Sequence, residues 1–126
     1  MVLNDLYIGF SKTTNDKNNL GVYSKRAFQK DETIEIAPFV EIKSDIGNLP
    51  NPLQDYVFGS HITDGHTILV FGYGSMYNHS LNNNVSYSTF KKHDRFIKYY
   101  ANCFIPENEE LFINYGENHS VNKLLK

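Results

Sequence analysis

The tripeptide Asn-His-Ser occurs twice, at residues 78–80 within FGYGSMYNHS and at 118–120 within YGENHS. Around it lie the residue types that most often do chemistry: five histidines, one cysteine, paired carboxylates and a Gly-x-Gly turn. Zinc ligation is poorly served, because the nearest pair, His61 and His66, stands five apart in a turn rather than four apart on a helix, and Cys103 is a lone thiol. Most of the histidines therefore read as surface or hydrogen-bonded structural residues, and no metal is expected. Cys103, in a strand-like run between Asn102 and Phe104, reads as a buried inert thiol. Glu109 and Glu110 in PENEEL read as a solvated acidic turn. FGYG falls short of a dinucleotide fingerprint, since Tyr77 stands where a third glycine is needed and no long helix follows.

The elements that must position these groups are short. Alternating apolar stretches at 6–10, 21–24, 33–37, 39–42, 67–70, 85–90, 95–104 and 110–115 are bounded by Gly, Pro, Asn and Asp, the pattern of a mainly β domain. Helical periodicity is nowhere sustained. NPLQDY, with Pro52 near its start, and YGSMYN are the two places for a short helix. The 126 residues suit one domain, 1–126, with no repeat or linker. A net charge of −2 and a pI near 6.2 give no reason to expect direct nucleic-acid binding. Neither a signal peptide nor an apolar run of roughly 18 residues is visible, so an intracellular protein of cytoplasm or nucleus, without a membrane partner, is expected.

Four segments taken in order carry more than any single motif: NNLGVYSKRAFQKDETI (18–34), DYVF (55–58), GYGSMYNHS (72–80) and CFIPENEELFINYG (103–116). Together they resemble the SET domain of protein lysine methyltransferases, and the short length is most similar to the minimal SET proteins of large viruses. The resemblance implies a β-clip-like fold of short curved sheets with a C-terminal pseudoknot, in which the last segment threads beside the first NHS. It also implies S-adenosyl-L-methionine as cofactor and a lysine-containing protein, such as a histone, as substrate.

Methyl transfer to lysine is an in-line displacement, so alignment of amine, methyl and leaving sulfur carries catalysis and can contribute roughly 7–11 kcal/mol. A free lysine has a pKa of about 10.4, and an apolar aromatic channel beside a sulfonium lowers it. Aromatic rings hold the ammonium first, which suits a chain with nine Tyr and nine Phe. Carried over by resemblance, Tyr115 is the catalytic tyrosine that aligns the amine. Asn19, Leu20 and Gly21 form the cofactor turn, where glycine permits close approach to the ligand. Met76, Asn78, His79 and His119 complete the cofactor site, with Asn78 on the methionine part, the His79 backbone on the adenine edge and His119 as a closing aromatic. Tyr56 and Tyr77, with Tyr115, line the lysine channel.

The chain departs from the family pattern at Asn19, where glycine is usual, and at Asn114, where aspartate is usual. Both keep in view a catalytically silent module that holds a lysine-containing tail in the same groove. Cysteine clusters of the chromatin enzymes are absent, so the lid must come from residues 117–126 or from a second subunit, which makes a homodimer an expectation.

Overall fold

The computed structural model describes residues 5–12, 19–89 and 95–115. Among these described residues nine strands account for the architecture: β1 (Leu6–Phe10), β2 (Leu20–Ser24), β3 (Thr33–Ile42), β4 (Val57–Gly59), β5 (Thr67–Val70), β6 (Asn78–His79), β7 (Val85–Thr89), β8 (Phe96–Ala101) and β9 (Glu110–Ile113). They form a four-stranded sheet in the order β1-β2-β9-β6 and a five-stranded sheet in the order β4-β5-β3-β8-β7. Leu6, Val22, Leu111 and Ile113 of the first sheet meet Phe58, Ile68, Ile97 and Tyr99 of the second in one buried cluster. Each such side chain contributes on the order of 1.5–3 kcal/mol when taken out of water. Among the described residues no helix is long and apolar enough to cross a membrane.

The alternating stretches become strands, with three differences that have physical causes. The runs 33–37 and 39–42 are one strand, because β3 changes partner at Pro38. Its first half pairs with β8 as far as Pro38↔Phe96, and its second half pairs with β5 from Phe39↔Val70 onward. The residue with no N–H thus falls where one ladder ends and the next begins. The run 95–104 stops at Ala101, which leaves Cys103 exposed rather than buried. The run 110–115 is a strand only to Ile113, and Glu110 at its start is 7% exposed, so the solvated reading of this carboxylate is corrected.

Of the two short helices expected, Leu53–Tyr56 forms a 3-10 turn with Pro52 at its N-cap. YGSMYN does not form a helix. It runs through successive turns, with Gly74 N–H on Phe71 O at 3.2 Å and Met76 N–H on Tyr73 O at 2.9 Å. Gly72, the residue just before it, is left-handed at φ 64°.

A bulge in β3 between Thr33 and Glu35 turns both Ile34 and Glu35 inward. Glu35 is therefore completely buried. It accepts the Tyr73 N–H at 2.8 Å and the Tyr77 hydroxyl at 2.7 Å. Burial raises its pKa, and the two hydrogen bonds oppose that rise. A carboxyl that holds its proton longer when folded favours folding at low pH. That contribution is whole below the ordinary value near 4.5 and is lost as pH rises through the raised folded value. Glu35→Gln removes this one titration. We expect the unfolding free energy of the variant, relative to wild type, to increase between pH 4.5 and 8 in urea titrations; a constant difference across that window would contradict the assignment.

Candidate active site

A cleft of about 500 Å³ opens where the start of β2, the 3-10 turns of residues 46–56, the turn before β6 and the end of β9 converge. Its walls are Asn19 and Leu20, Ile46, Gln54, Asp55 and Tyr56, Ser75, Met76 and Asn78, and Tyr115. Segments far apart in sequence meet here because β9 lies between β2 and β6. Val22 pairs with Leu111 on one side, and on the other Asn78 and His79 run parallel to Phe112 and Ile113.

Tyr115 is held at three points. Its hydroxyl donates to the Tyr77 carbonyl at 2.6 Å. Its backbone N–H donates to His79 Nδ1 at 2.8 Å, so the imidazole is an acceptor there and fixes the backbone at Tyr115. Its ring packs edge-on to Phe58, with centroids 5.7 Å apart, and against His79 at 5.1 Å. Burial first, then the charge of Asp55 and the nearby Tyr56, pushes the phenol up to about 12. Across neutral pH it is therefore a protonated donor and not a base.

Asn78 Nδ2 donates to the Leu20 carbonyl at 3.0 Å and to Glu110 Oε2 at 3.0 Å. With both protons of the amide nitrogen committed, the amide oxygen is the atom that can accept from a ligand. Glu110 also accepts from Ser11 Oγ at 2.9 Å on each oxygen and from the Lys12 N–H at 3.3 Å. This buried carboxylate ties the ends of the 11–19 connection to the floor of the cleft.

The sequence-derived residues divide into three groups. Asn19, Leu20, Tyr56, Met76, Asn78 and Tyr115 come together on the cleft wall. Gly21, His79 and Tyr77 lie behind it. Gly21 is in β2, where a Cβ would strike Glu110 Oε2 and come within 3.1 Å of Asn78 Nδ2. The Tyr77 ring is fully buried against Tyr99 at 4.8 Å, so its carbonyl and not its side chain faces Tyr115. A channel-lining role for that ring is therefore corrected. His119 lies outside the described residues. Ile46, Gln54, Asp55 and Ser75 were not singled out by sequence; Asp55 adjoins Tyr56 in a segment the resemblance marked, whereas Ile46 and Gln54 carry no sequence signal. His61 and His66 lie apart from the cleft lining, with His66 Nδ1 at 3.7 Å from Glu41. Among the described residues no three His, Cys, Asp or Glu converge as metal ligands.

A SET domain profile matches residues 19–116, and the chain belongs to the SET domain family. Among solved structures, a candidate histone methyltransferase of Plasmodium falciparum is 31% identical, with a TM-score of 0.67 over 90% of this chain and 94% of its own. The Chaetomium thermophilum polycomb repressive complex 2, in an autoinhibited conformation bound to S-adenosylmethionine, is 21% identical with a TM-score of 0.70; the match covers 90% of this chain and 15% of that one. The same complex with H3K27me3 and H3K27M gives 19% identity and a TM-score of 0.68, over 90% and 14% of the two chains. The polycomb structures thus share the fold, and this chain spans a small part of their length. A comparison with curated protein sequences gives no match. The mainly β SET fold of curled sheets expected from the sequence is found. The solved structures described come from Plasmodium falciparum and Chaetomium thermophilum, and they do not show the likeness to viral members expected from the short length.

Gly21→Ala tests the packing behind the cleft. The added methyl must displace Glu110 or Asn78, an overpacking of a kind that costs about 1–3 kcal/mol. The melting temperature is expected to fall by several degrees; superimposable melting curves would show that the carboxylate yields freely.

Proposed function

We propose that the protein is an S-adenosyl-L-methionine-dependent protein lysine N-methyltransferase acting on a lysine-containing protein, with a histone tail as the first substrate to test. The observation that carries this reading is Tyr115, a neutral phenol fixed on the Tyr77 carbonyl at 2.6 Å, on the wall of a cleft that Asn78 also lines. Family membership and the 31% identical Plasmodium relative support it.

The cleft fits the cofactor by size and by donor set. About 500 Å³ lies within the roughly 300–1,000 Å³ of small-molecule sites. Asn78 Oδ1 would accept from the ammonium of the methionine part, Met76 and Leu20 would cover apolar surface, and Asn19 borders the same end. When bound, the cofactor supplies an electrophilic methyl on a sulfonium.

The chain's own residues then have three tasks. Tyr56 and Asp55, both on the exposed rim, attract and hold a lysine ammonium through ring and charge. Tyr115, fixed from behind by the Tyr77 carbonyl, sets its phenol oxygen at the inner wall, against which an amine nitrogen can be oriented. Burial of that wall disfavours the charged amine, as it disfavours ionised Tyr115. Tyr115 keeps its own proton at neutral pH and is not a base for the amine, whose proton would leave to solvent. A second subunit, as a homodimer, belongs to the same proposal. So does an intracellular site of action, in cytoplasm or nucleus.

Calorimetry with S-adenosyl-L-methionine and radiolabel transfer to a histone mixture test this reading. Tyr115→Phe keeps the ring and removes the hydroxyl, and its turnover is expected to fall by about tenfold or more with cofactor affinity nearly unchanged. Equal rates for wild type and variant would remove Tyr115 from the mechanism. An absence of binding heat would favour a silent lysine-tail module instead. The wild-type rate should rise from pH 7 to 9 as the substrate amine loses its proton. Tyr115, protonated below about 12, introduces no alkaline loss in that range.

A further inference from the structure

The methyltransferase reading uses the Tyr77 carbonyl but leaves unexplained why a carboxylate lies completely buried beneath it. Glu35 reaches the interior only because β3 is bulged. Burying an ionisable group is costly unless its oxygens are satisfied, and here each oxygen takes one strong donor. Those two donors are the backbone N–H of Tyr73 and the side-chain hydroxyl of Tyr77, which bracket the segment that supplies Ser75 and Met76 to the cleft. A third tie comes from Tyr99, whose ring packs on Tyr77 and whose hydroxyl lies 3.5 Å from the Gly74 carbonyl. The segment is thus fastened from behind, and its last residue turns its carbonyl to Tyr115.

We propose that Glu35 is a positioning residue for the catalytic hydroxyl: by holding Tyr73 and Tyr77 it fixes the Tyr77 carbonyl on which Tyr115 is aligned. It touches neither substrate nor cofactor and acts only through Tyr77. The proposal rests on the methyltransferase reading for its kinetic consequence, and its geometry can be tested without turnover. Among the described residues the groups facing Glu35 are Tyr73, Tyr77 and Tyr99, all neutral donors or rings. Glutamine keeps the shape of the side chain, but one of its two ends is a donor. That end must face either the Tyr73 N–H or the Tyr77 hydroxyl, and one of the two bonds is lost or reversed.

A double-mutant cycle with Glu35→Gln and Tyr115→Phe, run at pH 8 on variants shown by thermal melts to be folded at the assay temperature, separates positioning from simple support. We expect Glu35→Gln to lower kcat by about tenfold in the wild-type background, with the Kd for S-adenosyl-L-methionine changed by less than about twofold. In the Tyr115→Phe background it should lower kcat no further, because the hydroxyl it aligns is gone. Equal losses in both backgrounds, or an unchanged kcat, would overturn the proposal and leave Glu35 as a core residue only. The second measurement is the Cζ signal of Tyr115 in ¹³C-tyrosine-labelled protein, assigned by its absence from Tyr115→Phe. It is expected to move in Glu35→Gln, and an unmoved signal contradicts the link. Wild-type protein that shows neither cofactor heat nor turnover would overturn the methyltransferase reading, and the Cζ signal would still decide whether Glu35 reaches Tyr115.

Discussion

Everything at the cleft depends on β9 being held on both edges. On one side it pairs antiparallel with β2 through Val22↔Leu111, and on the other it runs parallel to β6 through Asn78↔Phe112 and His79↔Ile113. A parallel pair only two residues long is weak by itself. The loop after it adds what the ladder lacks. Asn84 Nδ2 donates to the Glu110 carbonyl at 2.9 Å, and Asn84 Oδ1 accepts the Phe112 N–H at 2.8 Å. One side-chain amide thus continues the ladder by mimicking a strand, while Ser80 N–H closes on the Ile113 carbonyl at 3.0 Å. With the strand fixed, Tyr115, two residues past its end, has little freedom in where it emerges.

Two buried carboxylates then brace the cleft from opposite sides. Glu110 stands at the entry of β9 and gathers Ser11, Lys12 and Asn78, so the connection into β2 and the amide facing the cleft share one anchor. Glu35 lies beneath the turn before β6 and holds Tyr73 and Tyr77. Among the described residues both are held by neutral hydrogen-bond donors, Lys12 contributing its backbone N–H to Glu110, in contrast to the exposed Arg26 bridge to Asp5 and Glu32. The difference has a physical sense. Surface ion pairs hold little and tolerate many geometries, whereas a carboxylate satisfied by directed neutral donors in low dielectric fixes the positions of those donors.

Much of this was legible in the sequence because short alternating strands and ordered motifs are local signals. The stretches LYIGF and TILV became strands with their expected bounds, and the four motif segments placed Asn78 and Tyr115 in one cleft. What stayed hidden depended on irregularity. In TIEIA the alternation of Ile34 and Ile36 would turn Glu35 outward, and only the bulge reverses it. Glu110 sits in a run of acids and polar residues that resembles a solvated turn, yet it opens a strand that two others enclose. Cys103 was read as the end of a strand that stops two residues earlier, at Ala101. At Gly21 the closeness of Glu110 and Asn78, set by the pairing of β2 with β9, excludes a side chain, and no local signal announces that contact.

The division of labour around Tyr77 shows how a tyrosine-rich cleft wall would serve the proposed methyl transfer. Its ring and hydroxyl are spent on the core, through Tyr99 and Glu35, and its carbonyl is spent on Tyr115. A backbone carbonyl cannot rotate away as a side chain can, so an acceptor built from it needs only its own residue to be immobile. Tyr115 in turn carries a proton it does not give up at neutral pH, which makes it a fixed dipole rather than a participant in proton transfer. For a reaction that asks for alignment and a dry wall more than for acid or base, a neutral donor on an immobile acceptor is the appropriate device, and the bulge that buries Glu35 is the feature of the sequence that makes the acceptor immobile.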